Sequence, residues 1–394
     1  MRLKAFILTA FLAFAIIMSG YSQTVVTEDS IDTQLVEYDA MGGLHAASAE
    51  GYTTLFTNPA GLSEAEPQFS VSELTIGATG KIFDIAGIVI DVVGGAEVEK
   101  LLTSSSVSDL LSGLYTSVNI GGPLSFGYVG NGLGFNITNS QDVILENAGA
   151  LNVNMTVSET VLLQGGYGVR FMLPPNQLSE LEMGLLLRSF IVGQLQMEKN
   201  LLELVSLLQN LDFSILTSQP FSVLNGIGVD LGLRYEYDDF FAFGITVQDV
   251  YTPTVRSYYT SLDEFLGGSE VTATQGGIVP LNLSAGVQLR PEISFLQHYI
   301  SDIRFLLDYR DILDFVFQNA SARHWVLHLS FGMELTFLEI LSLRGGFAEG
   351  LFAAGMGIDL TVFQLQAAMF GSELSTDPGL RPAYNFALAF EFRI

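Results

Sequence analysis

The chain has 394 residues, 49% of them hydrophobic and only 15% charged, with 40 glycines, 29 Phe and 14 Tyr. Such a composition is too apolar for an ordinary soluble surface, yet beyond residue 22 no run reaches the ~18 apolar residues of a membrane-spanning helix. The formal charge of -26 opposes binding to nucleic acid phosphates, and zero cysteines exclude disulfides, thiolate metal sites, cysteine nucleophiles and a lipoprotein anchor.

At the N-terminus, Arg2 and Lys4 precede an apolar run from Ala5 to Met18, and Gly20, Tyr21 and Ser22 form a small-x-small cleavage site. Residues 1–22 are expected to be a cleaved secretion signal, with the mature chain starting at Gln23; the alternative is a short membrane anchor. Residues 23–68 do not alternate and are rich in small side chains, as in Ala40-Met41-Gly42-Gly43 and Ala46-Ala47-Ser48-Ala49. Asn58 before Pro59, followed by Ala60 and Gly61, starts a turn. A compact plug inside a barrel suits this segment, and a periplasmic tail is the alternative.

From Phe69 to the end, apolar residues recur at every second position, which on a strand sends them to one face. Ile227, Val229, Leu231, Leu233, Tyr235 and Tyr237 share a face, opposite Gly226, Gly228, Asp230, Gly232, Arg234 and Glu236. Asp238 and Asp239 then turn the chain. His324 to Phe337 repeats the device, with Trp325, Leu327, Leu329 and Phe331 outward and His324, His328, Ser330 and Glu334 toward the lumen. The C-terminal segment sets Tyr384, Phe386, Leu388, Phe390, Phe392 and Ile394 against Asn385, Ala387, Ala389, Glu391 and Arg393. The expected fold is therefore all-β, a transmembrane antiparallel barrel in which every backbone group is paired. Fourteen strands are predicted, near 69–79, 113–129, 132–146, 151–173, 183–191, 222–237, 240–249, 281–290, 302–311, 324–336, 339–347, 351–362, 363–370 and 383–394. With both ends periplasmic, the long connections 80–112, 192–221, 250–280, 312–323 and 371–382 all fall on the extracellular side, as outer-membrane barrels require. Within them, Leu201, Leu204, Val205, Leu208 and Leu211 recur at helical spacing over 198–211, and 97–112 shows a weaker version. These predict short amphipathic helices at the rim, either packing on the barrel lip or catching apolar ligand.

Enzyme signatures are absent: no Walker loop, Gly-x-Ser-x-Gly elbow or His-Glu-x-x-His occurs, so neither catalysis nor a cofactor is expected. His324 and His328 would be ~13 Å apart on a strand, too far to share a metal, and two adjacent turn acids offer calcium too few ligands. Lumenal Arg234 and the neighbouring Asp230 and Glu236 are expected to neutralise one another, with a carboxylate headgroup on an Arg as the alternative, and Glu334 and Arg344 are further polar residues expected in the lumen.

The Met41-Gly42-Gly43 stretch, the Asn58-Pro59-Ala60-Gly61-Leu62 motif and the terminal Phe390-Glu391-Phe392 resemble the FadL-type outer-membrane transport superfamily. The run of Asp308, Tyr309, Glu334, Arg344, Gly345, Gly346, Phe347, Gly355 and Gly357 resembles its PorV-like branch. The resemblance implies a fourteen-stranded barrel, residues 69–394, closed by an N-terminal hatch and passing hydrophobic molecules such as long-chain fatty acids from a rim site to lateral release. Its implied partners are a hydrophobic small molecule, the bacterial outer membrane and, during insertion, the barrel-assembly machinery. The rival expectations are a scaffold for secreted proteins and a non-specific porin.

Overall fold

In the computed structural model, the described residues are 26–31, 33–81, 114–149, 152–174, 178–200, 214–292, 299–317 and 322–394. The expected secretion signal at 1–22, the segment 97–112 and the leucine stripe from Leu201 to Leu211 lie outside them. Period-two patterning produces strands because a pleated backbone can bury one face and expose the other. They are β1 (Gln68–Gly80), β2 (Tyr115–Gly121 and Phe126–Gly130), β3 (Leu133–Gly149), β4 (Asn152–Leu173), β5 (Ser179–Asn200) and β6 (Phe221–Tyr237). Next come β7 (Phe241–Gln248 and Pro253–Tyr259), β8 (Ala273–Ile278 and Asn282–Leu289), β9 (Ile300–Tyr309) and β10 (Leu329–Phe337). The last four are β11 (Leu341–Ala348), β12 (Leu351–Asp359), β13 (Phe363–Glu373) and β14 (Pro382–Arg393).

Each strand pairs antiparallel with the next, and β14 pairs back onto β1 with Phe390 opposite Leu74, so the sheet closes into a fourteen-stranded barrel. Closure leaves no edge strand, and the last residue completes it: Phe69 N donates to Ile394 O and Ile394 N to Phe69 O, both at 2.8 Å. No described helix is long and apolar enough to cross a membrane. The outer wall exposes Leu187, Ile191, Ile227, Phe331, Tyr384, Phe386 and Phe392, whereas Asn385, Ala387 and Ala389 of the same β14 are buried. An apolar exterior of this extent requires a lipid environment.

Four expectations are corrected. β5 runs on to Asn200, its residues 198–200 pairing with Asn152–Asn154 of β4, so the segment predicted as a helix from 198 begins as strand. Leu195 and Met197 continue the inward face of β5 and hold it in the sheet. β7 and β8 each carry a further stretch across a break, Pro253–Tyr259 and Ala273–Ile278, beyond the predicted strand. At the first break Asp249 takes a φ of 54° and its N–H donates to the Asp230 carboxylate at 2.7 Å instead of to a backbone carbonyl. Finally, β10 starts at Leu329; Trp325–His328 is a 3-10 turn, in which Leu327 is buried rather than outward. His324 and His328 therefore do not line the lumen from a strand.

Candidate functional site: plug, lumen and wall

Residues 33–67 form a compact unit of one helical turn (Val36–Asp39) and two 3-10 turns (Gly51–Leu55 and Pro59–Ser63). Leu35, Tyr38, Met41, Tyr52, Leu55 and Leu62 form a buried cluster with Val129, Leu186 and Leu306 of the wall. Asn58 organises the second 3-10 turn: its Oδ1 accepts from Ala60 N at 3.0 Å, and its Nδ2 donates to Ala46 O at 2.6 Å and to Leu233 O of β6 at 3.2 Å. Pro59 then occupies the first position of the turn, where its missing N–H costs nothing.

Lumen-facing glycines admit this backbone. A Cβ on Gly184 of β5 would lie 2.1 Å from Pro59 C, one on Gly232 of β6 2.0 Å from Asn58 Oδ1, and one on Gly244 of β7 2.0 Å from Ala46 O. Any side chain there would collide with main chain, so these positions select glycine by close approach. Gly166 and Gly168 of β4 face Leu62 and Ser63 in the same way.

Buried charge fastens the remainder. His45 is fully buried, with Nδ1 2.6 Å from Asp308 Oδ2 of β9 and Nε2 3.1 Å from Met41 O, while Ala46 N donates to Asp308 Oδ1 at 2.7 Å. Arg234 of β6 binds Glu182 at 2.8 Å and Glu236, and donates from Nε to Ala47 O of the plug at 3.0 Å. Asp230, expected beside Arg234, instead pairs with Arg188 at 3.3 Å. Arg344 pairs with Glu334 and lies 3.6 Å from Glu37 of the plug; Arg304 joins Glu334 at 3.2 Å and Glu50 at 3.1 Å. Arg234 thus meets Glu236 as expected, whereas Asp230 has a partner, Arg188, that only the fold supplies. Burial also pushes the Asp39 carboxyl of the plug up to about 7, against a lowering hydrogen bond from Gln34 and the charge of Arg310.

Among the vacant spaces beside the plug, two bear on a path through the barrel. At the turn end, a polar chamber of about 270 Å³ is lined by Glu37, Arg304, Glu334, Arg344, Glu391 and Arg393. Farther along β1, β2 leaves the sheet between its two halves: residues 75–80 of β1 pair with 116–121 and residues 68–70 with 127–129, leaving 71–74 without a ladder to β2. At this break Gly122 N donates to Asn139 O and Leu124 N to Asn139 Oδ1, and Leu124 is exposed on the outer face. Immediately inside lies a small cavity of about 30 Å³ whose lining includes Ile31, Thr75, Gly122, Ser125, Ser140, Thr160 and Leu162. Neither the break nor its cavity was predicted, although Gly121-Gly122-Pro123 within a strand pattern is the signal for such an interruption.

The fold and its interior define a plugged transmembrane β-barrel. Among solved structures, the chain is similar to the Ralstonia pickettii toluene transporter TbuX (TM-score 0.49, 12% identity, 93% of this chain and 99% of that one). It is also similar to the Pseudomonas putida toluene transporter TodX (TM-score 0.47, 12% identity, 93% and 100%) and to a Pseudomonas aeruginosa FadL homologue (TM-score 0.39, 10% identity, 93% and 99%). No family model and no curated protein matches the chain.

Proposed function

We propose that this barrel carries hydrophobic small molecules across the bacterial outer membrane and releases them sideways at the break in β2. The observation that carries the reading is the coincidence of a plugged lumen with a wall interruption backed by an internal cavity. A straight axial path would take an apolar molecule past the Glu37, Arg304, Glu334 and Arg344 chamber, where each methylene forgoes about 0.8 kcal/mol of burial. Sideways exit delivers it to the apolar exterior instead. In this reading residues 1–22 are the cleaved signal, 23–68 the hatch and 69–394 the conduit. The stripe of Leu201, Leu204, Val205, Leu208 and Leu211 captures ligand at the rim, and long-chain fatty acids are the leading ligand class.

The test fills the cavity from its wall. Ser140→Trp should lower uptake of a labelled fatty acid by cells severalfold, with outer-membrane level and heat-modifiable migration unchanged. Uptake equal to wild type would move the exit elsewhere. Mass spectrometry of material extracted from the purified protein identifies the ligand class, and stoichiometric capture of a secreted protein in its place would favour the scaffold.

A further inference from the structure

At the loop end of the barrel, β9 finishes at Tyr309 and β10 starts at Leu329, and the connection between them brings Asp311, Asp314 and His328 together. One ligand atom from each lies within 4.8 Å of the others. His328 is 3% exposed, and its Nε2 has no hydrogen-bond partner among the described residues while lying 3.3 Å from Asp314 Oδ2. The ring is held in place by Tyr309, stacked at 5.7 Å, and Phe315 at 5.1 Å. Asp314 is also buried, and its Oδ2 accepts the Arg323 N–H at 2.7 Å. Asp311 adopts a φ of 47° and its N–H donates to Ser284 Oγ at 3.3 Å. The nearby Arg323 guanidinium is committed elsewhere, to Glu349 at 2.9 Å and to Glu373 O at 2.8 Å.

We propose that Asp311, Asp314 and His328 form a three-ligand site for a divalent transition metal, with zinc the best fit. Donors bound tetrahedrally to zinc at ~2.1 Å sit ~3.4 Å apart, and the Nε2 to Oδ2 distance of 3.3 Å matches that spacing. One imidazole with two carboxylates is a borderline donor set suited to zinc rather than to calcium or magnesium, which take oxygen. A buried imidazole nitrogen without a hydrogen-bond partner and two carboxylates that repel each other are both relieved by a cation. Asp311 is only half-buried, so the fourth position faces solvent and takes water. Such a metal ties the 310–328 connection to the ends of β9 and β10 at the barrel mouth. The site is separate from the plug and from the β2 break, so its test does not depend on transport.

The experiment uses the full-length barrel refolded in detergent, stripped with chelator and titrated with zinc against a chromophoric indicator. One equivalent should bind to wild type and to His324→Ala, a control for nonspecific imidazole binding four residues away. His328→Ala and the Asp311→Asn, Asp314→Asn double variant should each weaken binding by roughly tenfold or more. Cobalt added to wild type should give the intense visible bands of a tetrahedral site, a readout that needs no variant to fold. Absence of stoichiometric zinc binding to wild type, an octahedral cobalt spectrum, or unchanged affinity in well-folded His328→Ala would each overturn the assignment.

Discussion

The plug meets the wall by different physics where it packs on glycines and where it faces the turn-end chamber. Along β5, β6 and β7 its main chain lies directly on glycines, and Pro59 and Ala46 approach the wall more closely than any Cβ would allow. The same close approach recurs on Gly346 of β11, against Met41 and Gly42, and only at the turn end do plug and wall part around the polar chamber, where Arg304 and Arg344 bridge to Glu50 and Glu37. Contact packing seals one side permanently, because dispersion and excluded volume do not respond to solvent conditions. Charge pairs across a hydrated chamber respond to pH and ionic strength. The plug is therefore expected to loosen first at its turn end, around the chamber.

The largest effect should come from breaking the packed side. Gly184→Val places a side chain on Pro59, and overpacking of this kind costs about 3 kcal/mol or displaces the plug. Single-channel conductance in planar bilayers should rise severalfold, whereas Gly345→Val, with nothing within 4 Å of its Cβ, should leave conductance unchanged. Equal behaviour of the two would show that close approach does not hold the plug.

Breaking the charged latch should come second. Asp308→Ala leaves His45 and Ala46 N without their acceptor inside the protein, and loss of one partner of a buried pair costs about 3 kcal/mol. Faster amide exchange is expected over 41–48 with slower change over 58–63, measured by hydrogen exchange. Uniform acceleration of both segments would mean that the plug moves as one piece.

The smallest effect concerns pH. The Asp39 carboxyl is raised from 3.8 to about 7, so its folded form holds a proton that the unfolded form has lost. Stability from this group is fully present below about pH 4 and declines as pH rises toward 7. Plug protection should thus be greater at pH 5 than at pH 8, and Asp39→Asn should flatten that dependence. A dependence unaltered by Asp39→Asn would assign it to another group.

Much of the fold was legible because alternation is a local property. Ile227 to Tyr237 and Tyr384 to Ile394 each declare which residues face lipid, and the burial of Gly226, Asp230, Arg234, Asn385 and Ala387 follows that parity. The same local logic failed at His324 to Leu327, where apparent alternation continued into a 3-10 turn. Four residues are too few to distinguish a strand from a turn by period. It also missed the second half of β7 and the first half of β8, because Thr252-Pro253 and Gly276-Gly277 carry no apolar rhythm, and pairing there is enforced by the neighbouring strands.

By itself, the sequence determined the class of fold, the strand number and the inward parity, and it marked Asn58 to Gly61 as a turn-forming unit. Tertiary structure alone decided the partners: Asp230 with Arg188, Asp308 with His45, and His328 with Asp311 and Asp314. It also decided the break in β2 and the glycines that bear the plug. The division has a physical reason. Strand formation depends on side chains two residues apart, whereas ion pairs, close approaches and cavities depend on atoms that only barrel closure brings together, from positions as far apart as His45 and Asp308.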